Sequence, residues 1–279
     1  MRAANVIVSS LGIAATTTAA TIAWRWRRTP LLDTTRPAAE TSGRAALDGL
    51  RTLASVLAAG GIAGLLVVGI GGRLVMRILG ATSGDAAQGL LTDADEVVGE
   101  ITAGGTIGLV LFSGLFAGVI TAFGYLAVRR WLPRTAGPAG VVVGILLLGT
   151  LGVGDALSPD NVDFAILRPT WLAVTLIAAL AVLFGVTFTA LAARLEAGMP
   201  TLSARPSSIA AHAGLIFVLL PPVALGAAAY VVGRAAIRGG VAPTLALPQV
   251  RRAGQVVIGV AVALTALNSA RVIEEIVSA

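Results

Sequence analysis

The chain has 279 residues, of which 56% are hydrophobic and only 12% are charged, and its mean hydropathy is +0.90. Soluble domains carry about 25% charged residues, so this composition excludes a water-facing surface of ordinary size. The lack of cysteine excludes disulfides and thiol chemistry. The arginines lie between apolar segments rather than on one soluble face, so the pI of 11.3 does not indicate nucleic-acid binding.

Seven uncharged segments, each 18 or more residues long, follow one another along the chain. A helix rises about 1.5 Å per residue, so roughly 20 apolar residues cross the hydrocarbon core of a bilayer. We therefore predict an all-α, polytopic membrane bundle of about seven transmembrane helices, in which residues 1–279 form one membrane domain. The predicted spans are 4–24, 52–72, 103–128, 137–156, 169–193, 208–233 and 253–271.

The distribution of arginine between these spans predicts their orientation. With the N-terminus outside, 12 arginines fall in cytoplasmic segments and eight fall outside, as the positive-inside rule favours. Residues 129–134 hold three arginines and no acid, whereas residues 78–100 hold five acids and no arginine. We predict an uncleaved first helix, a cytoplasmic loop at 25–51, an outer acidic loop at 78–100 and a cytoplasmic C-terminus.

The residue usage also predicts where the protein is located. All 20 basic residues are arginine, and alanine, glycine and valine are abundant, which is typical of a bacterial genome rich in GC. We therefore expect a multi-pass protein of the bacterial plasma membrane, lying in the lipid bilayer. Its arginine-rich cytoplasmic face is expected to contact anionic lipids.

Pairs of glycines four residues apart recur within or beside the second, third and fourth spans. Lipid provides no hydrophobic drive for helices to associate, so small residues that let backbones approach closely contribute much of the packing energy. We predict that these glycines pack helices within the bundle, with a homodimer face as the alternative. The pairs are Gly60/Gly64, Gly104/Gly108, Gly114/Gly118 and Gly140/Gly144.

Two prolines, Pro221 and Pro222, interrupt the middle of the sixth predicted span. A proline removes a helical hydrogen bond, and neighbouring helices can satisfy the carbonyl that it frees. We predict one helix that is kinked at this pair. The alternative is a re-entrant segment, which would place the C-terminus outside.

Arg73 and Arg77 follow the second span and are four residues apart, so they share one face of a helix. Two neighbouring guanidinium groups can bind a phosphate or carboxylate bidentately. The functional hypothesis is a site for a lipid headgroup or an anionic solute at the outer leaflet. The alternative is that both side chains extend to the interface and pair with acids of the following loop.

The following loop contains four acids, Asp93, Asp95, Glu96 and Glu100. Carboxylate oxygens could bind Ca²⁺ or Mg²⁺, but the spacing is not that of an EF-hand loop. The alternative is a solvated acidic loop, in which Thr92 caps a short helix through its spacing to these acids. We predict neither a metal site nor a cofactor.

The function is constrained mainly by missing residue types. The chain has no lysine, no cysteine and one histidine, which excludes a P-loop lysine, a Schiff base, a thiol nucleophile and a two-histidine zinc motif. Three functions remain: a non-catalytic membrane component that packs with partner helices or with a second copy, a transporter or channel for a small solute or ion, and binding or modification of an outer-leaflet headgroup by Arg73 and Arg77. The scarcity of ionisable residues in the centres of the spans favours the first.

Overall fold

The protein is an all-α helical bundle of the membrane type, as the sequence predicts. We describe it from a computed structural model that describes residues 2–31, 41–100, 102–154, 156–200, 202, 205–237 and 247–278, and these ranges contain no β-strand beyond isolated bridges. The long helices are α1 (Arg2–Trp26), α2 (Ser42–Thr82), α3 (Ala103–Val128), α4 (Ala136–Gly152), α5 (Thr170–Gly198), α6 (Pro221–Ile237) and α7 (Pro248–Ser278).

Five helices in the described ranges are long and apolar enough to cross a membrane, namely α1, α2, α3, α5 and α7. Helix α4 is apolar but shorter, with 17 residues between Ala136 and Gly152. The broken segment that includes α6 brings the count to six if it is taken as one span. The count of seven spans and the orientation of the termini therefore stay predictions.

The sixth predicted span, 208–233, is not a single kinked helix. A short helix, Pro206–Ala211, leads into a 3₁₀ helix at Ala213–Leu219, and α6 then begins at Pro221. The chain bends by 116° between the 3₁₀ helix and α6. Two consecutive prolines explain the break, because each lacks the N–H that would continue the helix across this point.

Helix α2 is much longer than its predicted span of 52–72. It begins at Ser42, where the Thr41 hydroxyl accepts a hydrogen bond from the Arg44 N–H at 3.3 Å, and it ends at Thr82. Its 41 residues correspond to roughly 60 Å, about twice the thickness of the hydrocarbon core. Because α2 extends beyond its predicted span at both ends, the connections predicted at 25–51 and 78–100 are shorter. Arg73 and Arg77 lie on this continuous helix.

Helices α2 and α3 cross through glycines. A Cβ atom at Gly60 would collide with the Gly118 carbonyl oxygen, and one at Gly64 would collide with that of Gly114. Both helices are π-helical near this crossing, at Gly64–Gly71 and Gly108–Gly114. The close approach brings the two backbones into direct contact. It fixes how the turns of α2 after Gly64 face the turns of α3 before Gly114.

The other predicted glycine pairs lie in two different environments. Gly140 and Gly144 of α4 contact the backbone of α5, where a Cβ at Gly144 would lie 2.8 Å from the Val182 Cα. No atom of the described residues lies within 4 Å of a Cβ position at Gly104 or Gly108, so both have open space beside them. Small residues therefore mark a helix contact at one position and open space at another.

The segment between α2 and α3 forms a tight turn rather than the predicted helix at Thr92. The Thr92 N–H donates to the Glu96 carbonyl at 2.9 Å, and the Thr92 hydroxyl accepts from the Glu96 N–H at 3.1 Å. Asp95 has a φ of 55°, in the left-handed region that ends a right-handed helix. The threonine thus closes a turn, although its spacing to Asp95 resembles a capping box.

A small apolar core holds this turn against the bundle. Val98 of the turn segment packs with Val75 and Leu79 of α2, and with Phe164 and Leu167 before α5. A separate, larger core lies further along the helices and is centred on α2, α3, α4 and α5. The turn is therefore anchored over the C-terminal end of α2, which places its acids near Arg73 and Arg77.

Candidate functional site

A cavity of about 430 Å³ lies at the end of the bundle where α2 passes beneath the turn. Its wall combines side chains from α1, α2, the turn and α3. The sequence predicted an anion site and an acidic loop as separate features, and the structure brings members of both to one space. We call it the Arg73 cavity, and its defining residues are Arg73, Arg77, Glu96, Glu100, Gly105 and Phe112.

Arg73 lies in the cavity wall without an acceptor for its guanidinium group. Its Nε and Nη2 atoms are buried and make no hydrogen bond. Within the described residues, neither Arg73 nor Arg77 forms an ion pair or hydrogen bond, so the predicted pairing with acids of the following loop is not observed. A buried donor without an acceptor loses about 1–3 kcal/mol, and more when it is charged, so these two atoms remain able to donate to a group that enters the cavity.

Glu96 faces Arg73 across Gly105, but its carboxylate is held by another residue. The Glu96 Oε2 atom accepts a hydrogen bond from the Thr102 hydroxyl at 2.7 Å. Thr102 in turn caps α3 by accepting from the Gly105 N–H at 3.0 Å. A Cβ at Gly105 would lie 2.5 Å from the Arg73 Nη2 and would overlap the Glu96 carboxylate. The lack of a side chain at position 105 keeps both charged groups in place around this space.

The other end of the cavity is apolar and includes an exposed side chain of α3. Val8 of α1, Met76 of α2, and Leu109 and Phe112 of α3 line it. Phe112 is 77% exposed, so this end faces the surroundings of the bundle. Phe112 follows Gly105 by seven residues, or about 10 Å along the helix. The cavity thus has a charged end and an apolar end, the pattern of an amphiphilic ligand.

The floor of the cavity is π-helical, since Gly108, Leu109, Phe112 and Ser113 all belong to the π-helical turn Gly108–Gly114 of α3. Such turns are rare and often occur at functional sites. Gly104 and Gly108 also line this space, and no atom of the described residues lies within 4 Å of a Cβ position at either. Their missing side chains leave volume in the cavity.

The four acids predicted as a cation site separate into two groups. Glu96 and Glu100 line the cavity, whereas Asp93 and Asp95 do not. In the described part of the chain, no three His, Cys, Asp or Glu side chains form a group that could hold a metal ion. The cation hypothesis therefore receives no geometric support and plays no part in the function proposed below.

Asp163 completes the acidic side of the cavity wall. Its Oδ1 accepts a hydrogen bond from the Asp93 N–H at 2.9 Å, which ties the turn to the short helix Asp163–Ile166. Burial raises the pKa of the Asp163 carboxyl, and the neighbouring Asp93 carboxylate raises it further against the lowering effect of that hydrogen bond. Burial and the like charge of Asp93 thus outweigh the hydrogen bond and disfavour the ionised form of this carboxyl.

A second polar cluster, absent from the sequence predictions, lies at the opposite end of α2 and α3. We call it the Arg129 cluster, and it consists of Arg51, Thr52, Arg129 and Glu196. The Arg129 Nη1 atom contacts the Glu196 Oε2 at 2.9 Å, and the Thr52 hydroxyl donates to Oε1 at 3.1 Å. Arg51, which is 4% exposed, donates to the main-chain carbonyls of Glu196 and Met199.

The sequence contains one signal for the Arg129 cluster. Glu196 is the only acid between Asp163 and Glu274, and it follows an apolar span that carries no other carboxylate. A single acid at the end of such a span, with arginine-rich segments elsewhere, indicates an ion pair across helices. Which arginines it meets depends on how α2, α3 and α5 pack, and the sequence alone does not specify that.

The chain was compared with protein-family models, with curated proteins and with solved structures, and nothing in any of the three comparisons matches it.

Proposed function

We propose that this membrane protein binds a phosphate-bearing lipid headgroup in the Arg73 cavity. The observation that carries the proposal is the Arg73 guanidinium, whose Nε and Nη2 atoms are buried without an acceptor in the wall of an open cavity. Phosphate oxygens accept hydrogen bonds from arginine bidentately, and these charge-assisted bonds are about twice as strong as neutral ones.

The shape of the cavity favours a lipid over a free anion. A soluble anion would occupy only the charged end, near Arg73 and Arg77. The apolar end, which extends toward Phe112, would then contact no part of the ligand. A lipid would place the first methylene groups of an acyl chain there. The lateral opening beside Phe112 gives a lipid in the bilayer a direct route into the cavity.

Lipid retention by the purified full chain tests this proposal. The variant Arg73→Gln/Arg77→Gln removes both guanidinium groups and keeps side chains of similar length. Native mass spectrometry from a mild detergent is expected to show bound phospholipid on the wild-type protein and at least tenfold less on the variant, because each charge-assisted hydrogen bond contributes about 1.5–3 kcal/mol.

Arg168→Gln is the matched control for this experiment. Arg168 is an exposed arginine that does not line the cavity, and its Nη1 atom donates to the Thr170 hydroxyl at 3.1 Å. This variant is expected to retain lipid as the wild-type protein does. Equal lipid on the wild-type protein and on the double variant would contradict the proposal.

A second candidate function is a membrane component that packs against a partner helix, and the exposure of α7 favours it. Only 6% of the most apolar stretch of α7 is buried inside the protein, compared with 67% for α2. Because the chain has no cysteine, a single Val260→Cys on the exposed face can be cross-linked in native membranes. If a second copy of the chain packs on this face, Val260→Cys should form a disulfide-linked dimer, and Leu57→Cys in the core should not. Absence of the dimer would exclude a homodimer through this face.

A further inference from the structure

The Arg73 cavity contains carboxylates beside its arginines, which a site for a simple anion would lack. Glu96, Glu100 and Asp163 line the same space as Arg73 and Arg77. Each carboxylate repels a phosphate and weakens its binding. A headgroup with negative charge only would therefore meet repulsion from three acids as well as attraction from two arginines.

The opposite charges are adjacent but not joined to each other. The Arg73 Nη2 and the Glu96 Oε1 both border the space over Gly105, yet they form no ion pair in the described part of the chain. Glu96 uses Oε2 to accept from Thr102, and its Oε1 accepts no hydrogen bond. One donor group and one acceptor atom are thus free on neighbouring parts of the wall.

We propose that the ligand is a zwitterionic phospholipid with a primary ammonium group, of the phosphatidylethanolamine class; this inference rests on the proposed function. The phosphodiester binds Arg73 and Arg77, and the ammonium donates to Glu96 Oε1 and to Glu100. A short ethyl linker separates the two charges of this headgroup, which suits a wall whose opposite charges meet at Gly105. The three N–H donors of the ammonium match carboxylates that lack a cationic partner.

The experiment compares three lipids that share palmitoyl and oleoyl chains and differ only in the headgroup. The delipidated full chain is titrated in detergent with phosphatidylethanolamine, phosphatidylcholine and phosphatidylglycerol, and the shift in thermal midpoint gives an apparent Kd for each. Phosphatidylcholine has a quaternary ammonium without N–H donors, and phosphatidylglycerol has no cation. We expect phosphatidylethanolamine to bind about tenfold more tightly than either, as one charge-assisted hydrogen bond implies.

The variant Glu96→Gln/Glu100→Gln tests the acids directly. It is expected to bind phosphatidylethanolamine and phosphatidylglycerol equally, because the ammonium loses its carboxylate partners while both arginines remain. Asp85→Asn is the control, since Asp85 is exposed and does not line the cavity, and it should keep the tenfold preference.

The outcomes separate this inference from the proposed function. Equal binding of the three lipids to the wild-type protein would overturn the zwitterion inference and leave headgroup binding in place. No stabilisation by any lipid would overturn both. The comparison of lipids on the wild-type protein needs no variant, so it remains decisive if the glutamine variant does not fold.

Discussion

Arginine side chains are paired at one end of α2 and unpaired at the other. At the Arg129 cluster, a single carboxylate, Glu196, meets Arg129, and main-chain carbonyls satisfy the buried Arg51. At the Arg73 cavity, acids are more numerous, but the Glu96 Oε2 accepts from Thr102 and the guanidinium of Arg73 has no acceptor among the described residues. Proximity of opposite charges therefore does not decide pairing. What differs is where each carboxylate is held: Thr52 and Arg129 both contact Glu196, whereas Thr102 holds Glu96 through Oε2.

The difference predicts different roles for the two ends. A paired and buried cluster fixes three helices to one another, so its loss should appear as lost stability. An unpaired arginine in an open cavity contributes little to the fold, so its loss should appear as lost binding. Four substitutions test this contrast, and they are ordered below by the size of the expected effect.

Glu196→Gln should give the largest loss of stability. The substitution leaves Arg129 without its carboxylate at a site where both side chains are mostly buried, with 13% and 14% exposure. Removing one partner of a buried pair costs about 3 kcal/mol or more, because the remaining charge stays desolvated. Reversible unfolding in mixed micelles measures this, with the exposed Glu274→Gln as the control. A loss no larger than that of the control would mean that the cluster does not hold the helices together.

Gly64→Ala should lower stability by about 2 kcal/mol, since a Cβ at position 64 collides with the Gly114 carbonyl oxygen and forces α2 and α3 apart. This crossing of α2 and α3 lies between the Arg129 cluster and the Arg73 cavity, so lipid retention should fall as well. Gly124→Ala is the matched control on α3, because no atom lies within 4 Å of its Cβ position. Similar unfolding free energies for the two variants would show that the crossing is loose.

Arg73→Gln should not lower the free energy of unfolding in the absence of lipid and should slightly raise it, because the substitution removes a buried charge that has no acceptor. Among the described residues, Arg73 makes no hydrogen bond that the substitution could remove, and a neutral side chain costs less to desolvate than an uncompensated buried charge. The same unfolding experiment in lipid-free detergent measures it. A loss as large as that of Glu196→Gln would show that Arg73 has a structural partner, and the contrast between the two ends would fail.

Asp163→Asn should give the smallest effect, a slight increase in stability at neutral pH. The folded protein raises the pKa of this carboxyl above its usual value of 3.8, so the ionised form is disfavoured by folding. That penalty is present above the folded pKa, decreases as the pH falls through it, and disappears below about 3.8. Thermal midpoints of the two proteins should therefore converge as the pH is lowered from 7 to 4. A constant difference would contradict the assigned pKa direction.

The apolar runs predicted the bundle because segment length and hydrophobicity are local properties. The run at 103–128 corresponds to α3 residue for residue, and the proline pair at 221 and 222 marks where the sixth predicted span breaks. The full length of α2 was not predicted, because the charges at Arg73 and Arg77 end an apolar run but do not end a helix. The turn at Thr92 was predicted as a helix because the spacing of Thr92 to Asp95 is that of a capping box, whereas the threonine hydroxyl accepts from the Glu96 N–H within a turn.

The site was predicted in part. The spacing of Arg73 and Arg77 indicated one helical face, which is a local inference. Their lack of a partner depends on Thr102 binding Glu96 and on the turn being held by the core around Val98. The pairing of Arg129 with Glu196 joins residues 67 positions apart. Contacts of this kind depend on the packing of the whole bundle, which no local pattern encodes.

An experimental density map of the full chain in nanodiscs that contain phosphatidylethanolamine tests the central claim most directly. We expect lipid density in the Arg73 cavity, with the phosphate within hydrogen-bond distance of the Arg73 guanidinium and an acyl chain leaving past Phe112. An empty cavity in which Arg73 is paired with Glu96 would contradict it.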